Sequence, residues 1–173
     1  MKGIGVLIVL GIAALLVGGT ILGYTVVYPK MKVRSIEQKE FKHNLTEREQ
    51  YYIEKGNELY MGLANAKDEI NNDPKAREAL EKIGNMSLKV YVLSNGEKIW
   101  SMYVEVQDGK IVSVEQYSDK KADCTVTTEA VVLDELMQNK DVKALLNYLL
   151  KGDITVSPAS CYSRINELLT ELS

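Results

Sequence analysis

The spacing of apolar residues divides this chain into stretches of different character. Residues 3–29 hold no charged side chain and are dense in Ile, Leu and Val. About 20 apolar residues cross a bilayer, so this run predicts a single transmembrane helix within residues 1–29. Tyr24 and Tyr28 lie near its end, where aromatic rings favour the membrane interface. A cleaved secretory signal has a shorter apolar core and a small-x-small cleavage site; here the run is longer and no Ala-x-Ala follows, which favours a retained anchor. The next stretch, residues 30–45, is polar and without period, as expected of a juxtamembrane tether.

From residue 46 the period becomes helical. Thr46-Glu-Arg-Glu49 is a capping-box sequence, in which each residue can satisfy the other's terminal amide. Behind it Tyr52, Gly56, Leu59, Leu63, Ala66 and Ile70 form a heptad-like stripe. A coiled coil or partner-binding helix is one reading. A helix packed on its own domain is the preferred one, because a coiled coil calls for more and stronger heptads. Asp73-Pro74 starts a second helix, with Ala76, Ala79, Leu80 and Ile83 on one side and Gly84 at its end. Together these form a helical segment over residues 46–84.

Beyond it, residues 85–173 are expected to form the main domain. Leu88, Val90 and Val92 alternate with Lys89, Tyr91 and Leu93, the period of a strand. Asn95-Gly96 and Asp108-Gly109 are tight hairpin turns. The strand between them puts Trp100, Met102, Val104 and Val106 on one face, and a third strand follows over 111–117. Residues 118–158 then read as strand, two short helices and strand. Cys124, Val126 and Thr128 alternate with polar neighbours, with Thr128 a candidate N-cap for the helix of Val132, Leu133, Leu136 and Met137. Asn139 closes that helix, Asp141 is placed to cap the next, and the second helix carries Leu145, Leu146, Leu149 and Leu150 up to Gly152. Ile154 to Val156 form the last strand. A tail helix from Pro158 carries Cys161, Ile165, Leu168, Leu169 and Leu172. Five strands with helices on one face make an α+β layer arrangement.

The stretch Ala122-Asp-Cys-Thr125, Leu136-Met137, Lys140-Asp141, Leu149-Leu150, Gly152 and Ile154–Val156 resembles the sterol carrier protein 2 (SCP2) family of lipid-binding domains, motif by motif and in order. The likeness covers about the last half of the chain, from roughly Met86 onward. It implies an SCP2-like five-stranded, mainly antiparallel sheet with helices packed on one face, enclosing an apolar tunnel. The tunnel lining it implies is Trp100, Met102 and Val104 from the sheet, and Leu133, Leu136 and Met137 from the first covering helix. Leu145, Leu149 and Leu150 come from the second, and Ile165, Leu168 and Leu169 from the tail. The family's glycine-rich turn after the last strand is replaced by Ser157-Pro-Ala-Ser160, and its peroxisomal signal is absent, since the chain ends Glu171-Leu-Ser173.

Charge narrows the partners. Of 21 Lys and Arg and 24 Asp and Glu, six basic and two acidic residues lie before His43. The remainder carries 15 against 22, a net of −7, which argues against nucleic acid. Lys30, Lys32, Arg34, Lys39 and Lys42 outnumber Lys2, so the positive-inside rule predicts a single-pass cell-membrane protein with a cytoplasmic domain. Cys124 and Cys161, both inward-facing, are read as small core residues rather than a disulfide. The chemistry on offer is slight. His43 is the only histidine and lies in the tether. No Cys/His cluster has metal spacing. Asp134 and Glu135 point to different sides of their helix and read as solvated charges. No enzyme activity, cofactor or metal is therefore expected. The leading expectation is a membrane-anchored domain that binds or transfers a sterol-like, isoprenoid or fatty acyl lipid. The competing one is a tethered structural or interaction module with a dry core, dimeric through its helices.

Overall fold

A computed structural model describes residues 41–42, 44–139 and 142–172. The expected anchor, most of the tether, His43 and the Asp141 cap lie outside the described residues. Among the described residues no helix is long and apolar enough to cross a membrane.

The chain folds in the order α1 (Glu47–Asn72), α2 (Pro74–Ile83), β1 (Met86–Ser94), β2 (Glu97–Gln107), β3 (Lys110–Gln116), β4 (Cys124–Glu129), α3 (Ala130–Asn139), α4 (Val142–Lys151), β5 (Ile154–Ser157) and α5 (Ala159–Leu172). The sheet order is β3-β2-β1-β4-β5. The two hairpins form as expected. Asn95 and Gly96 have φ of 53° and 79°, and Asp108 and Gly109 have φ of 49° and 68°, the left-handed pairs that a two-residue hairpin turn requires. β4 joins β1 in parallel while the other three pairings are antiparallel, so the sheet is mixed. The register puts Val92 opposite Trp100, Val90 opposite Met102 and Leu88 opposite Val104. On the other side of β1, Leu88 faces Cys124 and Val90 faces Val126, so one continuous apolar face spans the sheet. All of these side chains are buried.

α1 begins with the capping box read from the sequence. The Glu49 amide donates to the Thr46 hydroxyl at 3.3 Å, and the Thr46 amide donates to Glu49 Oε2 at 2.8 Å. Its apolar stripe packs on the sheet rather than on a partner: Tyr52, Gly56, Leu59, Leu63 and Ile70 are all buried. Leu59 and Leu63 are therefore committed to their own domain. Asp73 caps α2, accepting the Ala76 amide at 2.9 Å. At the sheet edge Asn71 mimics a missing strand. Its amide donates to the Ile111 carbonyl at 2.9 Å, and its Oδ1 accepts the Ile111 amide at 2.8 Å. That blocks part of an edge otherwise open to another chain.

Two local expectations fail. Thr128 is not a helix cap. It pairs with Val92 on one side and Ile154 on the other, so its backbone is held in the strand, and α3 starts only after Glu129. Cys124 and Cys161 are not separate core thiols. They form a disulfide, with Cα atoms 5.8 Å apart. Both do point inward, as the alternation implied, but the tail helix brings them face to face.

The buried carboxylate of Glu49 ties the start of α1 to the chain that enters the domain. Lys42 Nζ lies 3.0 Å from Glu49 Oε1 and 3.4 Å from Glu97 Oε2, and the Lys42 amide donates to the Lys98 carbonyl at 3.2 Å. The Thr46 amide, the Ser94 hydroxyl and the Lys42 ammonium favour the charged form of Glu49, and its pKa falls from 4.5 to about 2. A depressed carboxylate stabilises the fold above its unfolded pKa, and that contribution disappears as pH falls through the folded value. Urea unfolding should therefore show stability falling between pH 4.5 and pH 2. Glu49→Gln should lower stability at pH 7 by about 1–3 kcal/mol and flatten this part of the profile. An unchanged profile in the variant would show that Glu49 is not the group responsible.

Candidate functional site

Among the described residues, a large apolar interior lies between the sheet and the helix layer, and the expected lining residues can be placed on it one element at a time. Trp100, Met102 and Val104 point from β2 into the helices and are at most 1% exposed. Leu133 and Leu136 descend from α3, Leu145 and Leu149 from α4, and Ile165 from α5, all into the same buried cluster. Met137 is partly buried at its margin. Leu150 does not join them. It is 73% exposed. The inward line of α4 is Leu145 and Leu149, four residues apart, and Leu150 is rotated about 100° from that line. The side chains of Leu168 and Leu169 lie outside the described residues.

The interior has two halves with different packing. On the β2 side, α1 lies so low that only glycine fits beneath it. A Cβ at Gly56 would sit 2.6 Å from Cδ2 and Cε2 of Trp100. The indole is also held along its polar edge, where Trp100 Nε1 donates to Asn57 Oδ1 at 3.1 Å and the Gln116 amide donates to the same oxygen. This half is solid. On the β1-β4-β5 side, the cover consists of three short helices, α3, α4 and α5, which pack on one another. α3 is laced to both neighbours by tyrosines. Tyr51 of α1 donates to Asp134 Oδ1 at 3.0 Å, and Tyr148 of α4 donates to Glu135. Each acceptor raises the pKa of its tyrosine by favouring the neutral hydroxyl that donates. Adjacent carboxylates on different helix sides thus serve two separate seams. The seam tyrosines, Asn57 and the cysteine bridge were not evident from sequence. No spacing rule pairs a helix tyrosine with a carboxylate 83 residues away.

Among the described residues, no group of three His, Cys, Asp or Glu side chains is placed to hold a metal ion. The polar groups around the interior act at its seams and rim. What the interior itself offers is apolar surface.

The family model described as the SCP-2 sterol transfer family matches residues 63–156, more than half of the 173-residue chain. The chain belongs to this family. The match runs from Leu63, in the second half of α1, to Val156 in β5. Gly56, Asn57 and Cys161 all fall outside it. Several solved structures are similar to this chain at low identity. A UbiJ-SCP2 ubiquinone synthesis protein is 19% identical, with 66% of this chain and 96% of that one covered, at a TM-score of 0.47. Sterol carrier protein domain 2 of Helicoverpa armigera is 17% identical over 63% of this chain and 83% of its own, at 0.44. Sterol carrier protein 2 of Yarrowia lipolytica, in its apo form, is 18% identical over 61% and 84%, at 0.41. No curated protein matches the chain by sequence.

Gly56→Ala tests the solid half. Alanine in a helix gains about 1 kcal/mol over glycine. The methyl group would meet a buried ring pinned by Asn57, so overpacking of about 1–3 kcal/mol should outweigh that gain. The variant should unfold at lower urea, and in a Trp100→Leu background the same Gly56→Ala change should cost less than it does in the parent. A Gly56→Ala protein as stable as the parent would mean that α1 can lift off the sheet freely.

Proposed function

We propose that this chain is a membrane-tethered SCP-2 domain that carries one apolar lipid between the sheet and the helices α3, α4 and α5. The class of ligand is a sterol-like, isoprenoid or fatty acyl molecule, and the domain acts as a carrier rather than a catalyst. The observation that carries the reading is an apolar interior built by elements that lie within the family match. The family match covers β1, β4, α3, α4 and β5, and these elements deliver Leu133, Leu136, Leu145 and Leu149 into one apolar interior. Transfer of an apolar ligand there is driven by dehydration, at about 25 cal/mol for each Å² buried. Residues 3–29 would hold the domain beside a bilayer, so that extraction and delivery are local.

The Trp100–Gly56 contact favours a second reading for the other half of the interior. There the core is dry and serves only to seat α1. It also confines the first reading, because a ligand has no room next to Trp100 unless α1 moves. The disulfide supports one side of the membrane over the other. Disulfides persist in oxidising compartments and are rare in cytosol. We place the folded part on the oxidising side, against the sense implied by the five basic residues from Lys30 to Lys42.

The test is lipid recovery. Protein lacking residues 1–40, purified and then extracted under denaturing conditions, should release about one equivalent of an apolar lipid. Leu149→Phe fills space between α4 and the sheet at a cost of about 1–3 kcal/mol. It should lower the recovered lipid several-fold while Trp100→Phe leaves it unchanged. No lipid from the parent protein would favour the dry module. Equal lipid from Leu149→Phe and parent would remove the assignment to the α4 side.

A further inference from the structure

We infer that the Cys124–Cys161 disulfide is a lock on α5, and that its reduction frees this helix and opens the apolar interior behind it. The inference rests on the lipid-carrier reading for its ligand and on the structure alone for the lock.

The two ends of the bridge are anchored unequally. Cys124 follows Asp123, whose carboxylate accepts both the amide and the hydroxyl of Ser87 at 2.8 Å, while the Asp123 amide donates to the Ser87 hydroxyl at 2.9 Å. β4 then pairs with β1 on one side and β5 on the other. Cys124 is therefore a fixed post at the start of an inner strand, paired with Leu88 of β1. Cys161 lies in the first turn of α5, a helix that follows the last strand and packs on α2, α4 and β5. Among the described side chains of α5, only Cys161 and Ile165 are buried, with Tyr162 partly so. Ser163 and Arg164 are exposed. Cutting the bridge removes the covalent one of the attachments described for α5, and the end that moves is the helix.

The ring closed by the bridge spans a separation of 37 residues and contains β4, α3, α4 and β5. These are the elements that build the proposed ligand half. α5 is their outer cover and falls outside the family match, as a tail pinned over the family core. The sulfurs belong to residues 1% and 5% exposed, so a reductant reaches them only when α5 lifts. Once lifted and reduced, the helix no longer has the bond that returned it.

The step requires a dithiol reductant. Its thiolate attacks one sulfur of the bridge to form a mixed disulfide, and its second thiol displaces the remaining cysteine. Two electrons and two protons pass to Cys124 and Cys161, and the dithiol becomes a disulfide. The lock therefore stays shut wherever dithiols are scarce.

The experiment uses the full chain in lipid nanodiscs, oxidised and then reduced with dithiothreitol, beside a Cys124→Ser/Cys161→Ser variant. Hydrogen exchange of α5 and dissociation of cis-parinaric acid are followed on each. Thiol titration confirms two free cysteines after reduction. Protection of α5 should fall by about tenfold or more while β1 and β2 keep theirs. The probe should leave about tenfold faster from the reduced protein. Equal protection of α5 in both states would overturn the lock. Loss of protection in β1 and β2 together with α5 would also overturn it, because the bridge would then support the whole fold. If the double variant does not fold, reduction of the folded parent gives the same comparison. Failure of both the oxidised and the reduced protein to bind the probe would overturn the opening of a ligand site, whereas α5 exchange decides the lock separately.

Discussion

The height of α1 above the sheet is set by one contact, the indole of Trp100 against the backbone of Gly56. Helices usually stand off a sheet by the length of their side chains. Here the largest side chain comes from the sheet, and the helix must present nothing. Asn57, the next residue, accepts hydrogen bonds from Trp100 and Gln116 and so fixes the helix against β2 and β3 together. With α1 that low, Tyr52, Leu59 and Leu63 reach the sheet along its length. The rest of the apolar face, over β1, β4 and β5, is left for the three short helices. The division into a solid half and a helix-capped half follows from that single placement.

The family match takes in parts of both halves. The matched residues 63–156 contain all of the sheet except Ser157, and the helices α2, α3 and α4. The glycine that admits Trp100 precedes them, and the cysteine that holds the tail follows them. One flank closes an interior by packing, without any bond that can be undone chemically. The other closes it with a covalent bond to a fixed strand. An apolar interior bounded in these two ways has one wall that is permanent and one that depends on its surroundings.

Much of the architecture was legible in the sequence because it is encoded locally. Asn95-Gly96 and Asp108-Gly109 admit the left-handed backbone that their turns adopt, and Thr46 with Glu49 builds its cap within one helical turn. The period-two runs gave the correct inward faces of β1, β2 and β4. Failures arose where a distant partner decides the outcome. Thr128 had the chemistry of a cap, but strands on both sides claim its backbone. Leu150 looked equivalent to Leu149 in composition, and one residue of helical rotation put it in solvent. The cysteines were correctly read as inward-facing, yet inward direction does not say what stands opposite. For the same reason, alternation identified the apolar residues of the interior without showing that α1 seals part of it.

The attachment of Lys42 has a mechanical meaning. The chain enters the domain at a residue whose amide is bonded to the edge of β2 and whose ammonium is paired with Glu49 and Glu97. Any pull on the preceding chain is met first by this cluster, at the corner shared by α1 and the β1–β2 hairpin. Those ion pairs are partly exposed and re-form readily. Load is thus shed at the rim before it reaches Trp100, and the interior is insulated from movements of the preceding chain.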